Sequence, residues 1–237
     1  MLKPRFGCSR KRVHRLKKQA GIYSIRYKAY RVTTNSKHTH PVAPNLIGRK
    51  FKAIRPNQAW TSDITYIATG EGWLYFAVIK DLFTKKVVGY AYSDRINTQL
   101  ALSALDMAVH RQGLNIKSRS KAEQGSVPNL IFHSDRGVQY ASIAFRQALF
   151  GYGFEQSMSK KGDPYDNAVA ENFFSCLKCE CVYLNHFTTR NAAKIAIFSY
   201  IETFYNRIRP HSGIGWLAPV TFEYQLEDLE DMMNKVA

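Results

Sequence analysis

The first 62 residues of this 237-residue chain contain no aspartate or glutamate. They hold 16 of its 34 lysines and arginines, so the residues that follow balance 18 basic side chains against 18 acidic ones. This distribution indicates a neutral body with a basic arm. Such an arm binds polyanions because it releases their counterions. DNA is the expected partner, although an acidic membrane surface also attracts basic segments, and a merely solvated face could be equally basic.

Cysteine is scarce, and long apolar runs are missing. The N-terminus lacks the apolar run of a secretory signal, and no stretch approaches the roughly 20 apolar residues of a membrane span. We therefore expect a cytoplasmic protein with reduced thiols and no membrane partner. Cys176, Cys179 and Cys181 could form a zinc cluster with His186. Their spacing has no matching second pair, which favours buried thiols.

The pattern from residue 57 onward alternates β-branched and aromatic runs with amphipathic segments. It predicts strands at 59–68, 73–81, 86–93, 130–134 and 154–158, and helices at 9–21, 100–110, 143–150, 163–181 and 192–207. This order describes an α/β fold, a mixed five-stranded sheet flanked by helices. The first strand lies centrally, because its hairpin partners occupy one side and a later parallel strand can join the other.

Three carboxylates stand out: Asp63, Asp135 and Glu171. The first two lie in strand-like runs, where an acid is costly to bury unless a cation neutralises it. Glu171 lies inside a predicted helix, whereas Asp163 and Asp166 of the same helix suit its N-cap and first turn. A solvent-facing glutamate is the alternative for Glu171. Convergence of all three predicts a site for divalent metal ions that prefer oxygen ligands.

Other side chains near these acids allow two interpretations each. Asn167 and Lys178 share a helix face with Glu171. Lys178 could hold a phosphate or form a surface ion pair, and Asn167 could contact DNA or be only a first-turn residue. His133 shares a strand face with Asp135; it could carry protons, although a packed core histidine is favoured.

A basic motif ends the helix predicted at 192–207. Its polar members could contact phosphates, or they could stabilise the C-terminus of that helix, where cations are favoured. These members are Asn206, Arg207, Arg209 and His211.

Four segments together resemble a known family. WTSDITYI, HSDRGVQY, SKKGDPYDNAVAENFFSCLK and YNRIRPHSGIGWLAP resemble the insertion-sequence transposases of bacteria. More narrowly, they resemble the second-reading-frame product of the two-frame frameshifting elements, whose catalytic core is similar to retroviral integrase. The resemblance extends from residue 57 to about residue 222, and it includes the 35 residues between Asp135 and Glu171 and the lysine seven residues after Glu171.

The resemblance implies an RNase H-like fold with a DDE triad of Asp63, Asp135 and Glu171. The triad would hold two Mg²⁺ ions, for which Mn²⁺ could substitute, and Lys178 would contact DNA. The implied reaction is cleavage and strand transfer at the ends of a mobile DNA element. The implied organisation is a DNA-binding arm at 1–56, an integrase-like catalytic core at 57–222 and an acidic tail at 223–237.

The resemblance also implies partners. Helix 9–21 would be half of a helix-turn-helix, whose DNA-binding residues would be Arg10, Lys11, Arg12, Arg15, Lys17 and Lys18. The helices usually found upstream of it do not precede it here, so either a first-frame partner protein or a fused longer product is expected to supply end recognition. The ends and target of the element would be bound by a self-assembled synaptic complex associated with the nucleoid.

Two rival functions use the same features. A nuclease with this metal chemistry would cut RNA–DNA hybrids or junctions without joining strands. A truncated, catalytically impaired regulator would bind element DNA without cutting it. The three acids favour an enzyme, because metal binding alone accounts for them.

Overall fold

The computed structural model describes residues 7–23, 40–48, 53–114, 130–160 and 168–236. The chain divides into two compact units, Met1–Arg31 and Val32–Ala237. Within the described ranges, none of the helices combines the length and the apolar character that crossing a membrane requires.

The first unit contains the predicted basic helix, α1, at Arg10–Gln19. Ser9 caps it, because the Ser9 hydroxyl accepts a hydrogen bond of 3.2 Å from the backbone N–H of Arg12. Lys17 and Lys18 lie in its last turn, where positive charge complements the helix dipole. None of its side chains is buried. Packing therefore does not account for its basic residues.

The second unit is built on a five-stranded sheet. Its strands are β1 Ala59–Thr69, β2 Gly72–Asp81, β3 Val87–Ser93, β4 Ile131–Ser134 and β5 Glu155–Met158. Their order is β3-β2-β1-β4-β5. The pairs β1–β2 and β2–β3 are antiparallel, and the pairs β1–β4 and β4–β5 are parallel. The central position predicted for the first strand is confirmed.

Helices cover both faces of this sheet. They are α2 Thr98–Arg111, α3 Val138–Ala141, α4 Ile143–Gly151, α5 Ala168–Glu180, α6 Arg190–Ser199 and α7 Pro219–Val236. Side chains of α2, α3 and α4 form a core with Trp60 and Ile64 on one face. Side chains of α5 and α6 form a second core with Ile67 and Val78 on the other. Alternation along β1 therefore sends Asp63, which has the parity of Ile67, toward α5.

Three segments differ from the sequence prediction. The helix predicted at 192–207 is α-helical only to Ser199 and continues as a π-helix at Tyr200–Tyr205. The acidic tail predicted at 223–237 is part of α7. Part of the predicted arm packs on the body: Ile47 is buried there, and Leu46 donates a backbone hydrogen bond of 3.0 Å to the Ser157 hydroxyl of β5. The predicted start of the helix at 163–181 lies outside the described residues.

Candidate active site

Two of the three predicted carboxylates lie at neighbouring positions of the sheet: Asp63 is in β1, and Asp135 directly follows β4, the parallel strand that pairs with β1. The β1–β4 pairing ends at Ser62 opposite Ser134. Asp63 directly follows Ser62, and Asp135 directly follows Ser134. Adjacent strands run about 4.8 Å apart, so the register brings these acids together from distant parts of the sequence. Asp63 is buried, with 8% of its surface exposed, and Asp135 is half-buried.

Each carboxylate is oriented by backbone close to it. The Oδ1 atom of Asp63 accepts a hydrogen bond of 2.7 Å from the N–H of Ile64. The Oδ1 atom of Asp135 accepts one of 2.9 Å from the N–H of Gly137, which leads into α3. These local bonds fix the side chains before any ligand is bound.

Burial and the charges of both carboxylates affect the pKa of Tyr140, in α3. Burial raises the pKa of Tyr140 well above its ordinary value, and the charges of Asp63 and Asp135 raise it further. Its hydroxyl lies 2.8 Å from the Ser62 hydroxyl, inside the protein. The negative charges of Asp63 and Asp135 thus act on one phenol, which remains protonated. The only signal for Tyr140 in the sequence is its place five residues after Asp135 in HSDRGVQY.

Lys178 lies beside the same site. Its Nζ atom is 5.5 Å from the centroid of the Tyr66 ring of β1. Burial lowers the pKa of Lys178, and the nearby charge of Asp63 raises it in part. The surface ion pair considered from the sequence is therefore replaced by a half-buried lysine that faces Asp63 and an aromatic ring.

Glu171 lies near the start of the described part of α5, and its side chain is exposed. Partial desolvation nevertheless raises the pKa of its carboxyl. Among the described residues, no group of three or more His, Cys, Asp and Glu side chains is arranged to hold a metal ion. The fold thus unites Asp63 with Asp135 and brings in α5, whereas Glu171 does not complete a three-carboxylate cluster.

A buried row of polar side chains crosses the sheet two residues before the paired aspartates. Strand pairing aligns Lys80, Thr61, His133 and Ser157, and all four are buried. The Nδ1 atom of His133 is 2.8 Å from the Ser157 hydroxyl. His133 is therefore a packed core histidine, as the sequence favours. The Thr61 hydroxyl has no hydrogen-bond partner among the described residues.

Asp81 is a buried acid with a different explanation. Burial raises its pKa, and hydrogen bonds oppose that shift. It accepts backbone bonds from Asn57, Phe83 and Thr84. These bonds organise the end of β2 and the turn after it. Asp81 therefore needs no metal to account for it.

Three members of the basic motif at 206–211 have contacts inside the protein. Asn206 hydrogen-bonds to both backbone groups of Val87. Arg209 pairs with Glu180. The His211 ring packs 4.7 Å from that of Tyr205, and burial lowers the pKa of His211 to about 4. Only Arg207 is exposed, so the phosphate-binding interpretation fits Arg207 best.

The remaining candidates fall into three groups. Asn167 lies outside the described residues. The basic side chains of α1 are exposed, except for that of Lys17, which is half-buried. These basic residues are Arg10, Lys11, Arg12, Arg15, Lys17 and Lys18. The cysteines are free thiols: Cys181 is buried, and Cys176 and Cys179 are half-buried.

Comparison with known proteins identifies the family. Residues 53–164 and residues 152–219 each match an integrase core domain family. The insertion element IS600 uncharacterized 31 kDa protein of Shigella sonnei is 43% identical to the chain over 213 residues, which is 90% of this chain and 74% of that protein. The chain belongs to the insertion-sequence transposases with an integrase core domain.

Among these transposases, transposase InsF of insertion sequence IS3A from Escherichia coli is 44% identical over 186 residues. The match covers 78% of this chain and 60% of InsF, so the chain spans well under two thirds of that relative. The sequence resemblance to insertion-sequence transposases is confirmed.

Two solved structures share the fold of this transposase. One is the simian T-cell lymphotropic virus intasome in complex with PP2A regulatory subunit B56 gamma, with a TM-score of 0.57 and 19% identity over 80% of this chain and 60% of that one. The other is the Mos1 transposase catalytic domain with Raltegravir and Mg, with a TM-score of 0.50 and 16% identity over 62% of this chain and 72% of that one. The predicted RNase H-like fold is confirmed.

Proposed function

We propose that this chain cleaves and transfers DNA strands at the ends of a mobile element, as a polynucleotidyl transferase of the DDE type. The observation that carries the proposal is the β1–β4 register inside an integrase core, which ends at Ser62 opposite Ser134 and so places the next residues, Asp63 and Asp135, at adjacent positions. Lys178, beside Asp63, adds a cation for a DNA phosphate. The family and the fold support a transferase rather than a simple DNA-binding protein.

The donor set fits a hard divalent cation. Burial raises the pKa of Tyr140, and the charges of Asp63 and Asp135 raise it further; a cation close to both carboxylates would offset their negative charges. Carboxylate oxygens are the ligands that Mg²⁺ prefers, and Mg²⁺ also accepts phosphate oxygens. The Mos1 catalytic domain, which shares the fold, was solved with Mg. We therefore assign Asp63, Asp135 and Glu171 as ligands of Mg²⁺, with Mn²⁺ as a substitute.

When bound, a pair of such ions stabilises the attacking and leaving oxygens of an in-line displacement at phosphorus. Asp63 and Asp135 hold their carboxylates ready through bonds to Ile64 and Gly137. Lys178 binds a non-bridging phosphate oxygen and orients the scissile strand. Glu171 belongs to a helix that can complete the ligand set once the ions and DNA are bound. In the first step, a water attacks phosphorus and releases the 3′-hydroxyl of the first strand. In the second step, this 3′-hydroxyl attacks the second phosphodiester and displaces its leaving oxygen.

The basic side chains of α1 would bind the DNA backbone, since they are not occupied in packing. Asn167 would join them at the catalytic helix. Synapsis of two element ends requires more than one copy of the chain, and a first-frame protein would assist in recognising the ends. This division gives 1–56 to DNA binding, 57–222 to catalysis and 223–237 to the acidic tail.

A strand-transfer assay tests the proposal. The full chain is incubated with labelled element-end DNA and Mg²⁺ or Mn²⁺, beside Asp63→Asn, Asp135→Asn and Glu171→Gln. Asp94→Asn, at an exposed acid after β3, is the matched control. We expect joined products from the unmodified chain and from the control, and a loss of about 100- to 1,000-fold, on the order of removing a main electrostatic element, in the other three.

Two outcomes would contradict strand transfer. Cleaved but unjoined strands would indicate the nuclease. DNA binding without cleavage in either metal would indicate the regulator.

A further inference from the structure

The segment Tyr200–Arg209, which we call the clamp segment, runs along the catalytic helix α5. It contacts α5 at two levels. The Tyr205 ring packs edge-on against Phe173, with 4.9 Å between ring centroids. About two turns of α5 further on, the Tyr200 hydroxyl donates a hydrogen bond of 2.7 Å to Glu180 Oε2. The clamp segment includes most of the basic motif that the proposed chemistry leaves without a role.

Arg209 makes the strongest of these contacts. Its Nε atom donates to both carboxylate oxygens of Glu180, at 3.0 and 2.8 Å, and its Nη2 atom donates to Oε1 at 2.8 Å. Nη2 also lies 3.2 Å from Cys176 Sγ. The side chains of Arg209 and Glu180 are only 21% and 34% exposed. A forked, partly buried pair with additional partners has a defined geometry, unlike a solvent-exposed ion pair.

The geometry of the clamp segment depends on its π-helical turn. The backbone N–H of Asn206 donates to Ile201 O at 3.0 Å, an i to i+5 bond. Residues five apart lie about 140° apart around an α-helix, which would turn Tyr200 and Tyr205 to different sides. The wider turn brings both tyrosines to the side that faces α5.

The clamp segment is itself anchored to the sheet. Asn206 is buried; its Oδ1 accepts from Val87 N at 3.0 Å, and its Nδ2 donates to Val87 O at 3.1 Å. These bonds imitate strand pairing at the start of β3. They connect the rigid sheet to α5 through Asn206, Tyr205 and Arg209.

The clamped residues of α5 occupy one face of that helix. Phe173, Cys176 and Glu180 follow one another at intervals of three and four residues. Glu171 and Lys178, seven residues apart, share a different face. A change of rotation of α5 by one residue would turn each side chain by about 100°. Holding the clamped face therefore fixes the direction of Glu171 and Lys178 as well.

We propose that Arg209 is a positioning residue, which sets the rotation of α5 and thereby the placement of Glu171 in the catalytic site. This inference rests on the role of Glu171 in the proposed function. Arg209 touches neither DNA nor metal in this role, and it acts through Glu180.

The test uses the full chain with Arg209→Lys, which keeps the charge and loses the fork. Arg146→Lys, at an exposed arginine of α4, is the matched control. Mn²⁺ binding is followed by electron paramagnetic resonance, and hydrogen exchange of the α5 amides is measured without metal. We expect Arg209→Lys to weaken Mn²⁺ binding about tenfold, as loss of a supporting partner does, and to raise exchange along α5 but not along α2.

A double variant shows whether Arg209 acts through Glu171. Glu171→Gln combined with Arg209→Lys is expected to bind Mn²⁺ no more weakly than Glu171→Gln alone. Additive losses would overturn the inference, as would wild-type exchange of α5 in Arg209→Lys. Wild-type Mn²⁺ binding by Glu171→Gln would overturn the metal assignment of Glu171. The exchange data would still decide whether Arg209 holds α5.

Discussion

Lys80 carries its ammonium group inside the interface between the sheet and the helices. Its Nζ atom lies 5.5 Å from the Phe173 centroid and 5.4 Å from the Tyr205 centroid, and only 4% of the residue is exposed. Burial first, and the nearby charge of Lys85 second, lower the pKa of Lys80 from 10.5 to about 7. The two aromatic faces offset part of the cost of a buried cation.

Because this pKa is lowered in the folded state, Lys80 makes stability depend on pH. Between about pH 7 and pH 10.5 the unfolded chain binds more protons at this residue than the folded chain. Stability therefore rises with pH across this window. We expect Lys80→Met to stabilise the protein at pH 6.5, on the order of a few kcal/mol, with the gain shrinking toward pH 10. Urea unfolding at both pH values measures the free energy of unfolding of the variant and of the unmodified chain. A gain in stability that did not depend on pH would contradict this explanation.

Lys178 should act on DNA rather than on stability. We expect Lys178→Gln to weaken DNA binding roughly tenfold, the value of about one charge-assisted hydrogen bond, and Lys178→Arg to retain most of the affinity. Fluorescence anisotropy with labelled element-end DNA and Ca²⁺ measures binding without turnover. If Lys178→Gln bound DNA as tightly as the unmodified chain does, a phosphate contact by Lys178 would be refuted.

At the scale of elements, the approach of α2 to β3 limits the size of one residue. A methyl group on Gly89 would lie 2.4 Å from the Ala104 carbonyl oxygen and 2.7 Å from the Ala108 side chain. Gly151, at the end of α4, has nothing within 4 Å of that position. The same substitution therefore tests packing at one glycine and only backbone entropy at the other.

We expect Gly89→Ala to destabilise the protein by about 1–3 kcal/mol, the usual cost of overpacking. Gly151→Ala should be neutral or slightly stabilising, because alanine favours a helix and restricts the unfolded chain. Thermal unfolding of both variants measures the difference. Equal midpoints would show that α2 can move away from β3 without cost.

At the scale of the whole molecule, charge and chemistry lie in different parts of the chain. The acid-free first 62 residues include α1, whereas the paired aspartates belong to the balanced body. Affinity for DNA and catalysis should therefore be separable by mutation. The salt dependence of binding reports the first without the second.

We expect Arg12→Gln combined with Arg15→Gln to reduce the slope of log K against log salt by roughly 1.8, about 0.9 for each lost phosphate contact. Strand transfer at saturating DNA should be retained. Lys194→Gln, at an exposed lysine of α6, should leave the slope unchanged. A slope unaltered in the arginine variant would remove α1 from the DNA-binding surface.

The sequence by itself determined the elements that have a local signal. Turns and alternation defined β1 to β3, and the short apolar runs before Asp135 and around Phe154 defined β4 and β5. The central position of β1 followed from the order of strands, and with it the pairing of Asp63 with Asp135. The family was recognisable because each of its motifs is an uninterrupted segment of the sequence.

Only the tertiary structure decided which polar residues serve the site and which hold the fold together. Arg209 and Asn206 look like DNA-binding residues in the sequence, yet they bond to Glu180 and Val87. Lys80 is a charged residue of β2, yet it is buried. The π-helical turn has no signature in a pattern of period 3.6. These outcomes depend on long-range packing, and the partner of a charged side chain is set by neighbours that a sequence window does not contain.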